Sequence, residues 1–281
     1  MAYNPNAVFI SPSTLSDFDK CPQLYYYKSV YRAPSGLKVQ IINPAIALGQ
    51  VVHETIDQVI KMPAVQRSKD KLLDIYEFLW KTIEGEKGGF LTEEADSKNR
   101  GLEMLNRFWD NGHFKEAEMV KLPIFPKVDL GNNLILTGKL DWIEKDGYTY
   151  HVIDFKTGKN EEKAESMQLP IYAVLACGIL KTFDIRTSYW YLDREDSLVS
   201  FPLPDINETT RLLVTKGEII QKARKDNLFK CQSGKDNCYA CRDIQAIAKG
   251  FGKLVAVDAT NYKQEIYILP KEVSVHEELP F

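Results

Sequence analysis

The spacing of apolar residues changes near residue 115, and that change divides the chain. At residue 11, "SPSTLSDFDKCPQLYYYKSVY" opens on Ser/Thr capping residues and sets Leu15, Phe18 and Leu24 at helical spacing, with a break at Pro22. "AIALGQVVHETIDQVIKM" places apolar residues at Ile46, Val51, Ile56, Val59 and Ile60, the stripe of a helix. Residues 69–83 and 94–111 keep this period and predict two more amphipathic helices, joined by the glycine-rich "EGEKGGF". Three β-rich runs follow: "EMVKLPIFPKVDL", "LILTGKLDWIEKD" and "YTYHVIDFKTGK". The turn signals "GNN" and "KDG" between them are short enough for antiparallel hairpins. Next come a helix over "EKAESMQLPIYAVLACGILKTF", a strand "IRTSYWYLD" paired with "SLVSFPL", and a long helix at roughly 206–227. A cysteine-rich segment and "QEIYILPKEVSVHEELPF", a short strand with an acidic tail, end the chain.

This order predicts one α/β core, a mixed central sheet flanked by helices, with terminal additions. Residues 1–270 form a single domain in this reading, with a helical insertion at about 45–115, a core at about 116–205 and a cysteine-rich part at about 228–250; residues 271–281 are the acidic tail. With 281 residues, 44% apolar and 27% charged, the chain has the composition of a soluble protein with a real core. It contains no run of eighteen apolar residues, so no membrane span is expected. The first residues lack a basic segment followed by an apolar one, which points to the cytoplasm. There, clustered cysteines more often bind metal or do redox chemistry than form disulfides. The net charge of −3 does not mark a nucleic-acid-binding protein. Two segments run against that total: the aromatic and basic "YYYKSVYRAPSGLK", and the basic second half of "TTRLLVTKGEIIQKARKDNLFK". Interleaved rings and cations suit single-stranded nucleic acid, whereas half-buried tyrosines and a solvated helix face account for the same letters.

The candidate chemistry lies in "HVIDFKTGK". Strand alternation puts Asp154 and Lys156 on one face, with Phe155 turned to the opposite layer. Asp141, read on the preceding strand, comes beside Asp154 across a tight hairpin. Two facing carboxylates repel and call for a cation between them, and oxygen ligands favour Mg²⁺ or Mn²⁺. Such an ion binds a scissile phosphate and acidifies water, with Lys156 orienting the nucleophile or stabilising developing charge. His53, on the helix "LGQVVHETID", is a further ligand candidate.

In order, the chain presents Gly-x-x-His in "LGQVVH", Gly138 and Asp141 in "GKLD", Asp154 and Lys156 in "DFK", and Gln168 and Tyr172 in "QLPIY". The last two, at i and i+4, share a helix face. With "SPSTLSDFDKCPQLYYYK", this set resembles the RecB-like branch of the PD-(D/E)xK nuclease superfamily over about residues 11–242. The resemblance implies a restriction-endonuclease-like core and metal-dependent cleavage of DNA phosphodiesters. By position, it makes His53, Asp141, Asp154 and the Phe155 carbonyl metal ligands and Lys156 the catalytic lysine. Gln168 and Tyr172 would position the lysine, water or DNA strand. Two departures stand out: Leu140, not proline, precedes Asp141, and the central acid is Asp154 where many relatives have glutamate.

Of the five cysteines, Cys177 lies in the apolar "YAVLACGIL" and reads as a small buried hydrophobe. Cys21, Cys231, Cys238 and Cys241 are four thiols of a number that binds Zn²⁺ or a 4Fe-4S cluster, and their spacing does not choose. The resemblance favours iron–sulfur, because some RecB-like nucleases, AddB-type subunits and CRISPR adaptation nucleases among them, hold such a cluster with one N-terminal and three C-terminal cysteines. In this chain it would clasp the two ends together. The C-x6-C-x2-C spacing departs from the C-x2-C-x5-C of those relatives. The ending "VSVHEELPF" is similar to the acidic tip with which bacterial single-strand DNA-binding proteins recruit partners; a solvated tail is the other reading, and replication or recombination proteins are the partners the first implies. The expectation is a metal-dependent exonuclease acting on DNA ends, single-stranded or frayed, in recombination, repair, phage replication or CRISPR adaptation. The alternative is a non-catalytic iron–sulfur module that binds DNA or a helicase.

Overall fold

A computed structural model describes residues 7–86, 95–203, 205–231, 233–234, 238–260 and 262–270. The glycine-rich joint around residues 87–94 and the acidic tail at 271–281 lie outside the described residues.

Local signals set the first helices. Ser11 and Thr14 form a capping box at the start of α1 (Pro12–Lys20), each side chain bonding the other's backbone N–H at 3.2 and 2.7 Å. The break falls at Cys21, before Pro22 opens α2 (Pro22–Tyr25), which widens into a π-helical turn at Tyr26–Val30. Asn43 caps α3 (Pro44–Ile60), whose apolar stripe buries Val51, Val52, Ile56 and Val59. Against it lie α4 (Lys69–Glu86) and α5 (Ala95–Asn111), followed by the short α6 (His113–Glu116).

The described strands form the expected mixed central sheet and, in addition, two three-stranded sheets. In the first, β1 (Val8–Ile10) runs parallel to β4 (Leu134–Thr137), which pairs antiparallel with β3 (Lys127–Asp129) across the "GNN" turn. The second has the order β2 (Lys38–Ile41), β10 (Gln264–Ile268), β9 (Lys253–Asp258). The third is mixed and four-stranded: β5 (Trp142–Asp146), β6 (Thr149–Lys156), β7 (Ile185–Tyr191), β8 (Val199–Phe201). Here β6 and β7 are parallel and joined by α7 (Gln168–Leu180), while the "KDG" hairpin and the β7–β8 pair are antiparallel, as their spacing predicts. The chain continues through α8 (Ile206–Lys225) and α9 (Arg242–Ala248).

Three predicted elements differ. The run at 134–146 is two strands in two sheets, broken at Gly138–Asp141, so Asp141 precedes β5 rather than lying on a strand. At the break the packing is close: a Cβ on Gly138 would stand 2.9 Å from Tyr172 Cε1. The helix read from residue 162 begins only at Gln168, and its charged first residues are irregular. "EMVKLPIFPKVDL" forms a lone bridge at Met119 and then β3, because Pro123 and Pro126 cannot donate to a ladder.

Strand β6 separates two apolar cores. Its Ile153 and Phe155 join Phe108, Phe114, Trp142 and Trp190 under the α3–α5 layer. Val152 faces the other side with Leu134, Leu136, Leu175 and Leu213, beneath α7 and α8. The first turns of α7 are buried on every face, as a crossover helix between a sheet and α8 must be.

Candidate active site and cysteine centre

The carboxylates meet at the edge of the mixed sheet. Trp142 pairs with Ile153, so the residue before β5, Asp141, comes level with the end of β6. Its Oδ2 accepts the Phe155 N–H at 3.0 Å, and its Oδ1 lies 3.3 Å from His53 Nδ1 on α3. Asp154, only 2% exposed, accepts Gln168 Nε2 through Oδ1 at 2.7 Å. Its Oδ2 forms an ion pair with Lys156 Nζ at 3.0 Å and has no further hydrogen-bond partner among the described residues. Lys156 also reaches Glu162 Oε1 at 3.2 Å, donates to Gln168 Oε1, and sits 5.1 Å over the Tyr189 ring. Gln168 Nε2 extends to Tyr172 Oη at 3.3 Å, so the i, i+4 pair does share one face.

Charge states follow from this crowding. Burial and then the Asp141 charge raise the Asp154 carboxyl to about 7, with Lys156 and His53 offsetting part of the rise. For Asp141, burial acts upward, but His53, the Phe155 N–H and Lys139 outweigh it and hold the carboxyl below its ordinary value. Burial works against charge on His53 and Lys156 too; the carboxylates around each win, so both are raised. A carboxylate whose buried oxygen lacks a further donor, beside a second carboxylate and an imidazole, is a donor set that fits a divalent cation. A cavity of about 600 Å³ opens beside His53, lined by Gln50, Glu54, Lys139, Tyr262 and Gln264 among others.

All six side chains named from sequence, His53, Asp141, Asp154, Lys156, Gln168 and Tyr172, are thus gathered in one place, and Phe155 supplies the N–H that fixes Asp141. Sequence reasoning missed two charged neighbours. Glu162 lies in the stretch misread as helix. Lys139, 3.3 Å from Asp57 and lining the cavity, stands two residues before Asp141 in the same "GKLD", and that proximity was the available signal. His151, by contrast, is buried on the other face with Glu144 and Ser188, away from this group.

The second centre joins distant parts of the chain. Cys21 lies between α1 and α2, Cys231 follows α8, and Cys238 and Cys241 precede α9. Their sulfur atoms all lie within 4.8 Å of one another, with no disulfide between them. Burial opposes a thiolate at Cys238, but the Ala240 and Cys241 N–H groups and the Cys231 thiol bring it down to about 7. Burial and the neighbouring sulfurs raise Cys21 and Cys241 instead. Four converging thiols, one of them primed to ionise, fit a thiophilic metal or cluster. Cys177 is buried in α7, as an apolar filler should be.

Comparison with known proteins gives a family match. The model of the PD-(D/E)XK nuclease superfamily matches residues 10–244. No curated protein matches the chain. Among solved structures, the crystal structure of SSO0001 is similar at 13% identity and a TM-score of 0.31, covering 62% of this chain and 84% of that one.

Proposed function

We propose that this chain, which belongs to the PD-(D/E)XK nuclease superfamily, is an exonuclease of its RecB-like branch that hydrolyses DNA from strand ends, with single strands preferred. The observation that carries the reading is the convergence of Asp141, Asp154, Lys156 and His53 around a buried carboxylate oxygen without a further donor. His53, Asp141, Asp154 and the Phe155 carbonyl would hold Mg²⁺ or Mn²⁺, which supplies Lewis-acid polarisation of the scissile phosphate and of water.

The chain's own groups do the rest. Asp141 orients the His53 ring, and the Phe155 N–H holds Asp141 in turn. Lys156, kept protonated by Asp154 and Glu162, places its charge where negative charge grows on the phosphate. Gln168 ties Lys156 to Asp154, so the cation and the central acid move as a unit, and Tyr172 supports Gln168 from the next turn. The four cysteines, whose sulfurs lie within 4.8 Å of one another, would hold a 4Fe-4S cluster, with Zn²⁺ as the other candidate, and so clasp the two chain ends in a single domain. The acidic tail is read as a contact for replication or recombination proteins.

The test is direct. Oligonucleotides labelled at either end, single-stranded and duplex, are incubated with purified protein and Mg²⁺, Mn²⁺ or excess chelator. Stepwise shortening that needs the ion and is faster on single strands is expected. Equal cleavage in chelator, or none with any divalent ion, overturns the proposal.

A further inference from the structure

The two basic segments, far apart in sequence, meet in space. Arg224, in the last turn of α8, donates from Nη1 to Tyr25 Oη at 3.2 Å. Just beyond it, Phe229 stacks on Tyr25 and tilts against Tyr26, with ring centroids 6.1 and 5.3 Å apart. Arg32 folds back on the π-helical turn and donates from Nη1 to the carbonyls of Ser29, Val30 and Tyr31. Lys38 opens β2. Burial lowers both Arg32 and Lys38, and like charge adds to it: Arg224 acts on Arg32, and Arg32 on Lys38.

None of these three cations makes an ion pair with a carboxylate among the described residues. Two other cations of the same segments do: Lys28 pairs with Asp17 at 2.9 Å, and Lys216 with Asp19 at 2.8 Å. Helix capping accounts for the Nη1 bonds of Arg32 and for the last-turn position of Arg224. It does not account for Lys38 on a strand, nor for three charges gathered without a counter-charge among the described residues. Beside them runs a ladder of half-buried rings, Tyr26, Tyr27 and Tyr31, with centroids 5.3 to 6.3 Å apart. Exposed cations beside half-buried rings match a polyanion whose bases are also within reach. A single strand has that character, while a duplex hides its bases.

We propose that Arg32, Lys38 and Arg224, with Tyr26, Tyr31 and Phe229, form a docking surface for single-stranded DNA that is separate from the nuclease centre. None of the six lines the cavity at His53. The cations take successive phosphates and the rings take the bases between them. Only the choice of DNA as the nucleic acid rests on the nuclease reading.

The test measures affinity against salt. Full-length protein in chelator is titrated against a fluorescent oligo(dT) over a KCl series, read by anisotropy. Each phosphate contact on a single strand contributes about 0.7 to the slope of log affinity against log salt, so the triple variant Arg32→Gln, Lys38→Gln, Arg224→Gln is expected to be shallower by roughly 2. Lys38→Gln alone, which touches no cap, should remove about 0.7. Tyr26→Leu should weaken binding by roughly fivefold or more at fixed salt with the slope intact, because stacking is lost and charge is not. An unchanged slope in the triple variant overturns the proposal. So does an equal slope loss on a duplex together with indifference to Tyr26→Leu, which would describe a general polyanion surface. Cleavage with Mg²⁺ is assayed in parallel. A wild type that binds with the full slope but cuts nothing removes the nuclease reading and leaves this surface standing.

Discussion

Replacing Lys156 by methionine keeps the stem and removes only the ammonium, so it measures what that charge does for the fold. Two carboxylates depend on it. Glu162 lies 3.2 Å away with a side chain 34% exposed, so water can replace much of its partner, and its share is under about 1 kcal/mol. Asp154 has no such recourse, being 2% exposed with Asp141 on its other side. Removing one partner of a buried pair costs about 3–5 kcal/mol, and the ability of Asp154 to take up a proton moves the expected loss to the lower end, about 3 kcal/mol at pH 8. The assay is urea unfolding in chelator, with wild type, Lys156→Met, Asp154→Asn and the double variant compared at equal m-values. In the double variant the orphaned charge is gone, so its loss should fall short of the sum of the singles by about 2 kcal/mol. Additive losses, or a Lys156→Met cost below about 0.5 kcal/mol, would refute the claim that this ammonium neutralises a buried carboxylate.

Gly138→Ala would drive a methyl to 2.9 Å from Tyr172 and 3.3 Å from Leu175, turning the ring that supports Gln168; cleavage kinetics should show kcat down by about tenfold with KM little changed, since positioning rather than binding is lost. Glu144 carries a pH prediction. Burial acts upward on it, but His151, the Trp142 indole N–H and His113 outweigh it and hold the carboxyl at about 2, below its ordinary 4.5. Its stabilisation, up to about 3 kcal/mol, is therefore full above pH 4.5 and lost as pH falls toward 2; unfolding midpoints at pH 6 and pH 3 should show a smaller acid loss for Glu144→Gln than for wild type. Cys238→Ser should lower the bound iron or zinc found by elemental analysis, together with any visible absorbance, while Cys177→Ser leaves both unchanged. Equal metal in the two variants would reject the four-cysteine centre.

The site was more legible in sequence than the sheets that carry it. Asp154, Lys156 and the turned-away Phe155 follow from strand period alone, and Gln168 with Tyr172 from helix period, because both depend only on local geometry. The break at Gly138 was hidden: Tyr172, which crowds that glycine, reaches it only in the folded chain. Strands β1 and β2, three and four residues long, are too short to show alternation, and β9 is held by a partner strand rather than by its own pattern. Glu162 and Lys139 were missed because their partners, Lys156 and Asp57, are set by the tertiary fold. The meeting of Cys21 with the other three cysteines was foreshadowed by their placement at opposite ends, and Arg224 with Tyr25 shows the same closure without such a signal.

Metal-dependent cleavage at Asp154 is decided by the rate at which an end-labelled single strand is shortened as free Mn²⁺ is raised, measured for wild type and for Asp154→Asn side by side. Wild type should show a saturable rise, abolished by chelator, and the variant at least a hundredfold loss across the whole range, on the scale of about 3 kcal/mol of transition-state stabilisation. Cleavage that ignores Mn²⁺, or an Asp154→Asn protein that keeps pace with wild type, would contradict it.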